Sequence, residues 1–315
     1  VRPGLRTGHQ RAAGDACAAM IPARKPDRQR KTARDGPTKP AGQLLIRGPP
    51  RPLLATSNFA TASRRDPSST MPRNTSPKQF LDTVVPVIRQ CAQASLIFHG
   101  DVVDIGKTAD MSLTGQNAQT ASAALTVLDG AFQDLILGAV ASRFPTLRCI
   151  AEEKTAMRLA FAGNTGDEVV ILDPIDGTLH FQKGDAPYHI SIGLCRKGQM
   201  VAAAVARPTQ DKLFTAIRGQ GAWVQKGKGK PRRLQLPKKP RTQRAFISSK
   251  ARPFQAPAKQ WLDPFEYPIG AALVLTQLAE GDLAAYLTRQ VETYDVAPPS
   301  LIAEEAGVRC MLGDG

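Results

Sequence analysis

Apolar residues recur at helical spacing near the middle of this 315-residue chain. Phe80, Leu81, Val84, Val87, Ile88, Cys91 and Leu96 fall on one side of a helix over 77–98, with Ser76 placed to cap its start. Residues 100–120 are polar and weakly patterned and read as a loop. A second helix over 128–144 gathers Phe132, Leu135, Ile136 and Val140 and stops before Pro145. The period then changes. Residues 147–151 form a short strand leading to Glu152-Glu153, and the run E-V-V-I-L over 168–172 is a buried strand feeding Asp173-Pro174-Ile175-Asp176-Gly177-Thr178. Residues 188–196 and 200–207 predict an antiparallel pair turning at Lys197-Gly198-Gln199. Further strands are expected over 212–217, 245–248 and 283–287, with Gly219-Gln220-Gly221 turning into another at Trp223. An Ala/Leu-rich helix over 269–280 stops at Gly281, and a last helix spans 295–307 with glycine at its end. No fixed-period repeat exists. The mixture predicts an α+β or layered α/β class rich in antiparallel hairpins.

Residues 1–70 lack periodicity and are rich in Arg, Pro, Gly, Ser and Thr. A disordered basic extension over 1–75 is expected, or non-native upstream sequence ahead of a start at Met71; an organellar targeting segment is the third option. The globular domain is expected over 76–315.

Charge alters the picture less than its size suggests. The net +15 divides into +10 over residues 1–70 (14 Lys/Arg against 4 Asp/Glu) and +5 over the remainder (28 against 23). A second basic run, Lys226 to Arg241, has no interleaved aromatic residues for base stacking and reads as a solvated loop. Nucleic acid is therefore not the expected partner. No apolar run nears the ~18 residues that a membrane-spanning helix needs, so no membrane partner is expected. Five widely spaced cysteines without a CxxC pair argue for reduced thiols and a cytoplasmic setting. The four histidines show no ligand spacing. Any metal must be held by oxygen.

Asp173 and Asp176 are the candidates for that role. Carboxylates ending a buried strand repel unless a cation lies between them. A hard divalent ion would relieve the repulsion, with the Ile175 carbonyl free to join the ligands. Gly177 tolerates angles that a side chain resists, and Thr178 begins a turn or helix whose N–H groups can hold phosphate. An Asp-Pro turn with a capping aspartate explains the same residues without chemistry. Glu152-Glu153 serves equally as a solvated pair, and Asp295 and the Thr126-x-x-Asp129 stretch serve equally as helix caps.

Taken in order, Thr-x-x-Asp, Glu-Glu, Asp-Pro-Ile-Asp-Gly-Thr and Tyr294-Asp295-x-Ala297 resemble the inositol monophosphatase family of lithium-sensitive, magnesium-dependent phosphatases. Phe181, Gly184, the strand Ser191-Ile192-Gly193-Leu194, residues 214–222 and Glu304-Glu305-Ala306-Gly307 extend the resemblance, which covers 80–315. It implies a layered α-β-α-β-α sandwich of the sugar-phosphatase type with mixed and antiparallel sheets. It implies two or three Mg2+ ions, with Glu152, Asp173 and the Ile175 carbonyl at the first and Asp173, Asp176 and Asp295 at the second. Asp129 would pair with Thr178 to activate water, Glu152 would share in catalysis, Asp176, Gly177 and Thr178 would bind substrate, and Glu153 would stand behind them. The resemblance implies a homodimer acting on a small phosphorylated metabolite, such as an inositol or sugar monophosphate. The chain departs from the family at Ala151, Tyr294, Pro298-Pro299 and the uncharged Thr288. Family members continue beyond the position of Gly315, so a C-terminal truncation is expected. A 3′(2′),5′-bisphosphate nucleotidase acting on phosphoadenosine phosphate is the alternative substrate class. A basic nucleic-acid-binding or scaffold protein with a degenerate site is the alternative of another kind.

Overall fold

The computed structural model describes residues 74–101, 126–237, 241–266, 270–289 and 291–311. The expected basic extension up to residue 73, nearly all of the 100–120 loop and the start of a helix at Ile269 lie outside these residues.

Helix α1 (Pro77–Phe98) follows the apolar spacing read from the sequence, burying Phe80, Val84, Ile88 and Cys91, and Ser76 Oγ accepts from Gln79 N–H at 3.5 Å. Helix α2 (Val127–Arg143) buries Phe132, Ile136, Leu137 and Val140. The chain then runs through β1 (Arg148–Ala151), the one-turn α3 (Ala156–Leu159), β2 (Glu168–Asp176) and α4 (Thr178–Lys183). Four longer strands follow: β3 (His189–Arg196), β4 (Gln199–Arg207), β5 (Lys212–Ile217) and β6 (Gly221–Lys226). Next come β7 (Arg232–Leu234), β8 (Arg244–Ile247), a 3-10 segment Ser249–Phe254, α5 (Gln255–Ala258) and β9 (Asp263–Phe265). Helix α6 (Ala271–Glu280), β10 (Ala285–Leu287) and α7 (Thr293–Ala306) complete the described fold.

A seven-stranded sheet runs in the order β1 to β7, with β1 parallel to β2 and every later pair antiparallel. The second sheet, β10-β8-β9, is parallel throughout. On one face of the large sheet, α1 and α2 pack over Val170, Leu172, Ile192, Ala202 and Ala204. On the other, Ala203, Val205 and Phe214 meet Ala272 of α6 and Leu301 of α7. The outer sides of those helices cover Phe246 and Tyr286 of the small sheet. Ile247 in turn packs on Ala251 and Ala258. The layers are α-β-α-β-α, an α+β sandwich. Strand β4 is buried on both faces, and its small residues let helices approach from both sides.

Three expectations are corrected. Strand β2 does not end at Leu172; it continues through the acidic motif to Asp176, because β3 keeps pairing with it beyond the apolar run. The basic run after Lys226 is not all loop, since Arg232–Leu234 pairs with β6. Helix α7 begins at Thr293, so Asp295 lies inside its first turn rather than capping it, and Pro298 and Pro299 are buried within the helix.

Candidate metal centre

Residues three apart on a regular strand point to opposite faces. Asp173 and Asp176 escape this because the β2–β3 register slips between them. Asp173 pairs with Ser191 and Asp176 with His189, three steps on one strand against two on the other. The extra residue is a bulge, and it turns both carboxylates to one face. Helix α7 brings the third acid, and carboxylate oxygens of Asp173, Asp176 and Asp295 lie within 4.8 Å of one another. Asp173 and Asp176 are buried and Asp295 is half-buried.

The electrostatics follow from that crowding. Burial raises the Asp173 carboxyl well above the usual carboxylate range, and the charges of Glu152, Asp176 and Asp295 push it further. Burial also raises Asp176, to about 8, with Asp295 as the next cause and the Ala272 N–H opposing it. The backbone fixes the orientations. Asp173 Oδ1 accepts from Ile175 N–H at 3.1 Å, and Asp176 Oδ2 accepts from Ala272 N–H, in the first turn of α6, at 2.9 Å. A Cβ at Gly270 would collide with the Asp176 carboxylate. Only glycine lets the start of α6 approach so closely.

Beside the cluster stands a second arrangement. Asp129 divides its two oxygens: Oδ2 accepts from the Thr126 N–H at 2.8 Å and the Thr126 hydroxyl at 2.6 Å, closing a capping box. Oδ1 lies 3.1 Å from the Thr178 hydroxyl, which is also 2.9 Å from the Ile175 carbonyl. The cap and the pairing with Thr178 coexist on one carboxylate. Burial lifts Asp129 to about 6, against the Thr126 hydrogen bonds and with help from Glu152 and Glu153. Gly177, at φ +91°, makes the left-handed turn from β2 into α4 and so carries Thr178 to Asp129.

The Glu152-Glu153 pair is held by a residue the sequence does not advertise. Gln133, one helical turn beyond Asp129 on α2, is wholly buried. It accepts from Glu153 N–H at 2.9 Å and donates to the Glu153 carbonyl at 2.7 Å and to Thr155 Oγ1 at 2.8 Å. Gln133, Gly270 and Ala272 are therefore part of the site, and none of them stands out in the sequence, where Gly270 falls inside the helix expected over 269–280. Of the residues singled out beforehand, Asp173, Asp176 and Asp295 converge, with Glu152 near enough to act on the first two; Asp129, Thr178 and Ile175 touch; and Glu153 lies behind on Gln133. An all-carboxylate donor set gathered against burial and mutual repulsion fits a hard divalent cation.

Comparison with known proteins agrees with this geometry. The sequence profile of the inositol monophosphatase family matches residues 89–315. Among curated proteins, Nus factor SuhB of Pasteurella multocida (strain Pm70) is 29% identical over 198 residues, covering 58% of this chain and 69% of that one. Inositol monophosphatase 2 of Rattus norvegicus is 30% identical over 196 residues, covering 58% of this chain and 66% of that one. The aligned part thus spans about two thirds of these relatives. Among solved structures, Mycobacterium tuberculosis SuhB superposes with a TM-score of 0.57 at 25% identity, covering 77% of this chain and 90% of the other.

Proposed function

The chain belongs to the inositol monophosphatase family, and from that premise we propose that it hydrolyses a small phosphate monoester, an inositol or sugar monophosphate, with the help of Mg2+. The observation that carries this reading is the convergence of Asp173, Asp176 and Asp295 from a bulged strand and a distant helix. Glu152, Asp173, Asp176, Asp295 and the Ile175 carbonyl would hold two or three ions. When bound, such ions neutralise the phosphate dianion, acidify an attacking water and stabilise the departing alkoxide.

The chain's own groups supply the rest. The Thr178 hydroxyl, donating to Asp129 Oδ1, can accept a proton from the attacking water while passing its own to Asp129. A carboxyl raised to about 6 is well placed to take that proton near neutral pH. A bond forms between the water oxygen and phosphorus, the ester P–O bond breaks, and the departing alkoxide takes a proton from solvent water, so the products are phosphate and an alcohol. Gly177 and Thr178 N–H groups, with Asp176 beside them, orient the phosphate for in-line displacement. Glu153 supports Glu152 through the Gln133 clamp. Thr288 is uncharged, 7% exposed and hydrogen-bonded by Ser248 at 3.1 Å. It offers no acid to a polyol, which keeps 3′-phosphonucleotides on the substrate panel.

Among the described residues, no helix is long and apolar enough to cross a membrane. The four described cysteines are free thiols, in keeping with a reducing, cytoplasm-like setting. A homodimer is proposed on family grounds, and size-exclusion with light scattering tests it. The deciding experiment is phosphate release by the full chain from inositol, sugar and 3′-nucleotide monophosphates, with Mg2+, with EDTA and with added Li+. Magnesium-dependent, lithium-inhibited release from one of these supports the reading, and absence of release from all of them in Mg2+ contradicts it.

The β6–β7 hairpin supports a second role. Lys226, Lys228, Lys230, Arg232 and Arg233 are all exposed there, and one relative carries the name Nus factor. RNA binding by this hairpin would weaken steeply with salt. Charge reversal at Lys228 and Lys230 that leaves the salt slope unchanged would remove this role.

A further inference from the structure

Arg207 is the largest fully buried side chain among the described residues. It ends β4, yet its hydrogen bonds reach α6. Nε donates to His189 Nε2 at 3.0 Å, and Nη1 to Gln210 Oε1 at 3.0 Å and Glu280 Oε2 at 2.9 Å. Nη2 donates to Thr276 Oγ1 at 2.5 Å, and the guanidinium carbon lies 5.1 Å from the centre of the Phe214 ring.

Two routes lead from this cation to the same residue. Thr276 accepts from Arg207 and lies within donating distance of the Ala272 carbonyl, at 2.6 Å. Ala272 N–H in turn donates to Asp176 Oδ2. On the other side, His189 is the residue paired with Asp176 across β2 and β3. Arg207 thus grips the strand position opposite Asp176 and the helix whose first turn holds it.

Stability alone does not account for this choice. A buried ion pair replaced by apolar groups of similar volume is often neutral or stabilising. The guanidinium fork does what apolar packing does not: it fixes α6 along its own axis against β3 and β4. We propose that Arg207 is a positioning residue for Asp176, acting through Thr276 and Ala272, and so sets how tightly the acidic cluster holds a divalent cation. This rests on the metal-centre reading above.

The test is calorimetric titration of Mg2+ into the full chain without substrate, beside thermal melts in EDTA. Thr276→Val keeps shape and removes the relay, and Thr276→Ser restores the hydroxyl. Arg207→Met with Glu280→Leu removes the ion pair as a unit and serves should the threonine variant fail to fold. Arg218→Met with Glu304→Leu, an ion pair between the β5–β6 turn and the C-terminal end of α7 and outside the relay, is the control. Residues supporting metal ligands typically contribute about 10- to 100-fold in affinity. Thr276→Val and the Arg207 double variant should therefore bind Mg2+ about tenfold or more weakly. Thr276→Ser should stay within about twofold of the parent, and the control should keep the parent's affinity. Parental affinity in Thr276→Val and in the Arg207 double variant, or an equal loss in the control, overturns the proposal. A parent chain that binds no Mg2+ overturns the metal centre itself and this inference with it.

Discussion

The two ends of α6 handle buried charge in opposite ways. At its C-terminal end Glu280 is bonded by Arg207 at 2.9 Å and Lys212 at 2.6 Å, so the anion sits between two cations of the same chain. At its N-terminal end Asp176 meets Asp173 and Asp295, with Glu152 adding a further negative charge. The backbone N–H groups of Ile175 and Ala272 donate to Asp173 and Asp176. The first cluster is built to be complete when the chain folds. The second holds carboxyls whose proton affinities are raised by their own neighbours, a state that a divalent cation relieves. The difference separates structural charge from functional charge better than burial does, since each cluster mixes buried and partly buried groups.

The sharpest way to break the contrast is at the acidic end. Asp176→Asn or Asp295→Asn should lower turnover by about a thousandfold or more while the fold survives, because lost cation charge is worth several kcal/mol in the transition state. Phosphate release and circular dichroism on the same preparation check both halves. Thr178→Val should cost about a hundredfold or more, in the range of general acid–base groups, with Thr178→Ser recovering most of it. Turnover in Thr178→Val equal to the parent removes Asp129 and Thr178 from the chemistry. Gly270→Ala forces α6 away from Asp176 and should weaken Mg2+ binding about tenfold or more. Titration of that variant against Gly281→Ala, at the other end of α6, isolates the effect.

A smaller effect is read in the melts. Asp176 has an ordinary value near 3.8 when unfolded and about 8 when folded, so the folded chain binds the extra proton between these values. That proton stabilises the fold at low pH, and the contribution fades as pH rises from about 4 through 8. In EDTA the melting temperature should therefore fall between pH 5 and pH 8 by about 5 °C or more. Mg2+ should restore it at pH 8, and Asp176→Asn should flatten the slope. The least effect is expected at the balanced end. Lys212→Met should cost about 1 kcal/mol or less by chemical denaturation, because Lys212 is partly solvated and Arg207 still holds Glu280.

What the sequence disclosed divides along the same line. Helix α1 was legible from spacing alone, and its bounds match, since an outer helix with one apolar face leaves a plain period. The acids of the centre were legible as residue types in a familiar order. Their convergence was not, because it depends on a one-residue bulge between Asp173 and Asp176. Arg207 was invisible because an arginine ending an apolar strand reads as a surface residue. Gly270 was obscured because it falls inside the helix expected over 269–280, where nothing marks it as the contact that admits a carboxylate. Strand β7 was hidden by its charges, as an edge strand can be basic on its exposed side.

The central claim is that the acidic cluster is balanced by a divalent cation. Mg2+ titrated into the parent chain at pH 7, in two buffers of different ionisation enthalpy, tests it directly. Saturable binding should appear with release of about one proton, as the carboxyls raised by their neighbours give it up to the metal, and both should weaken in Asp295→Asn, which removes one acid of the cluster. Equal binding in parent and Asp295→Asn, or none in either, would contradict the account.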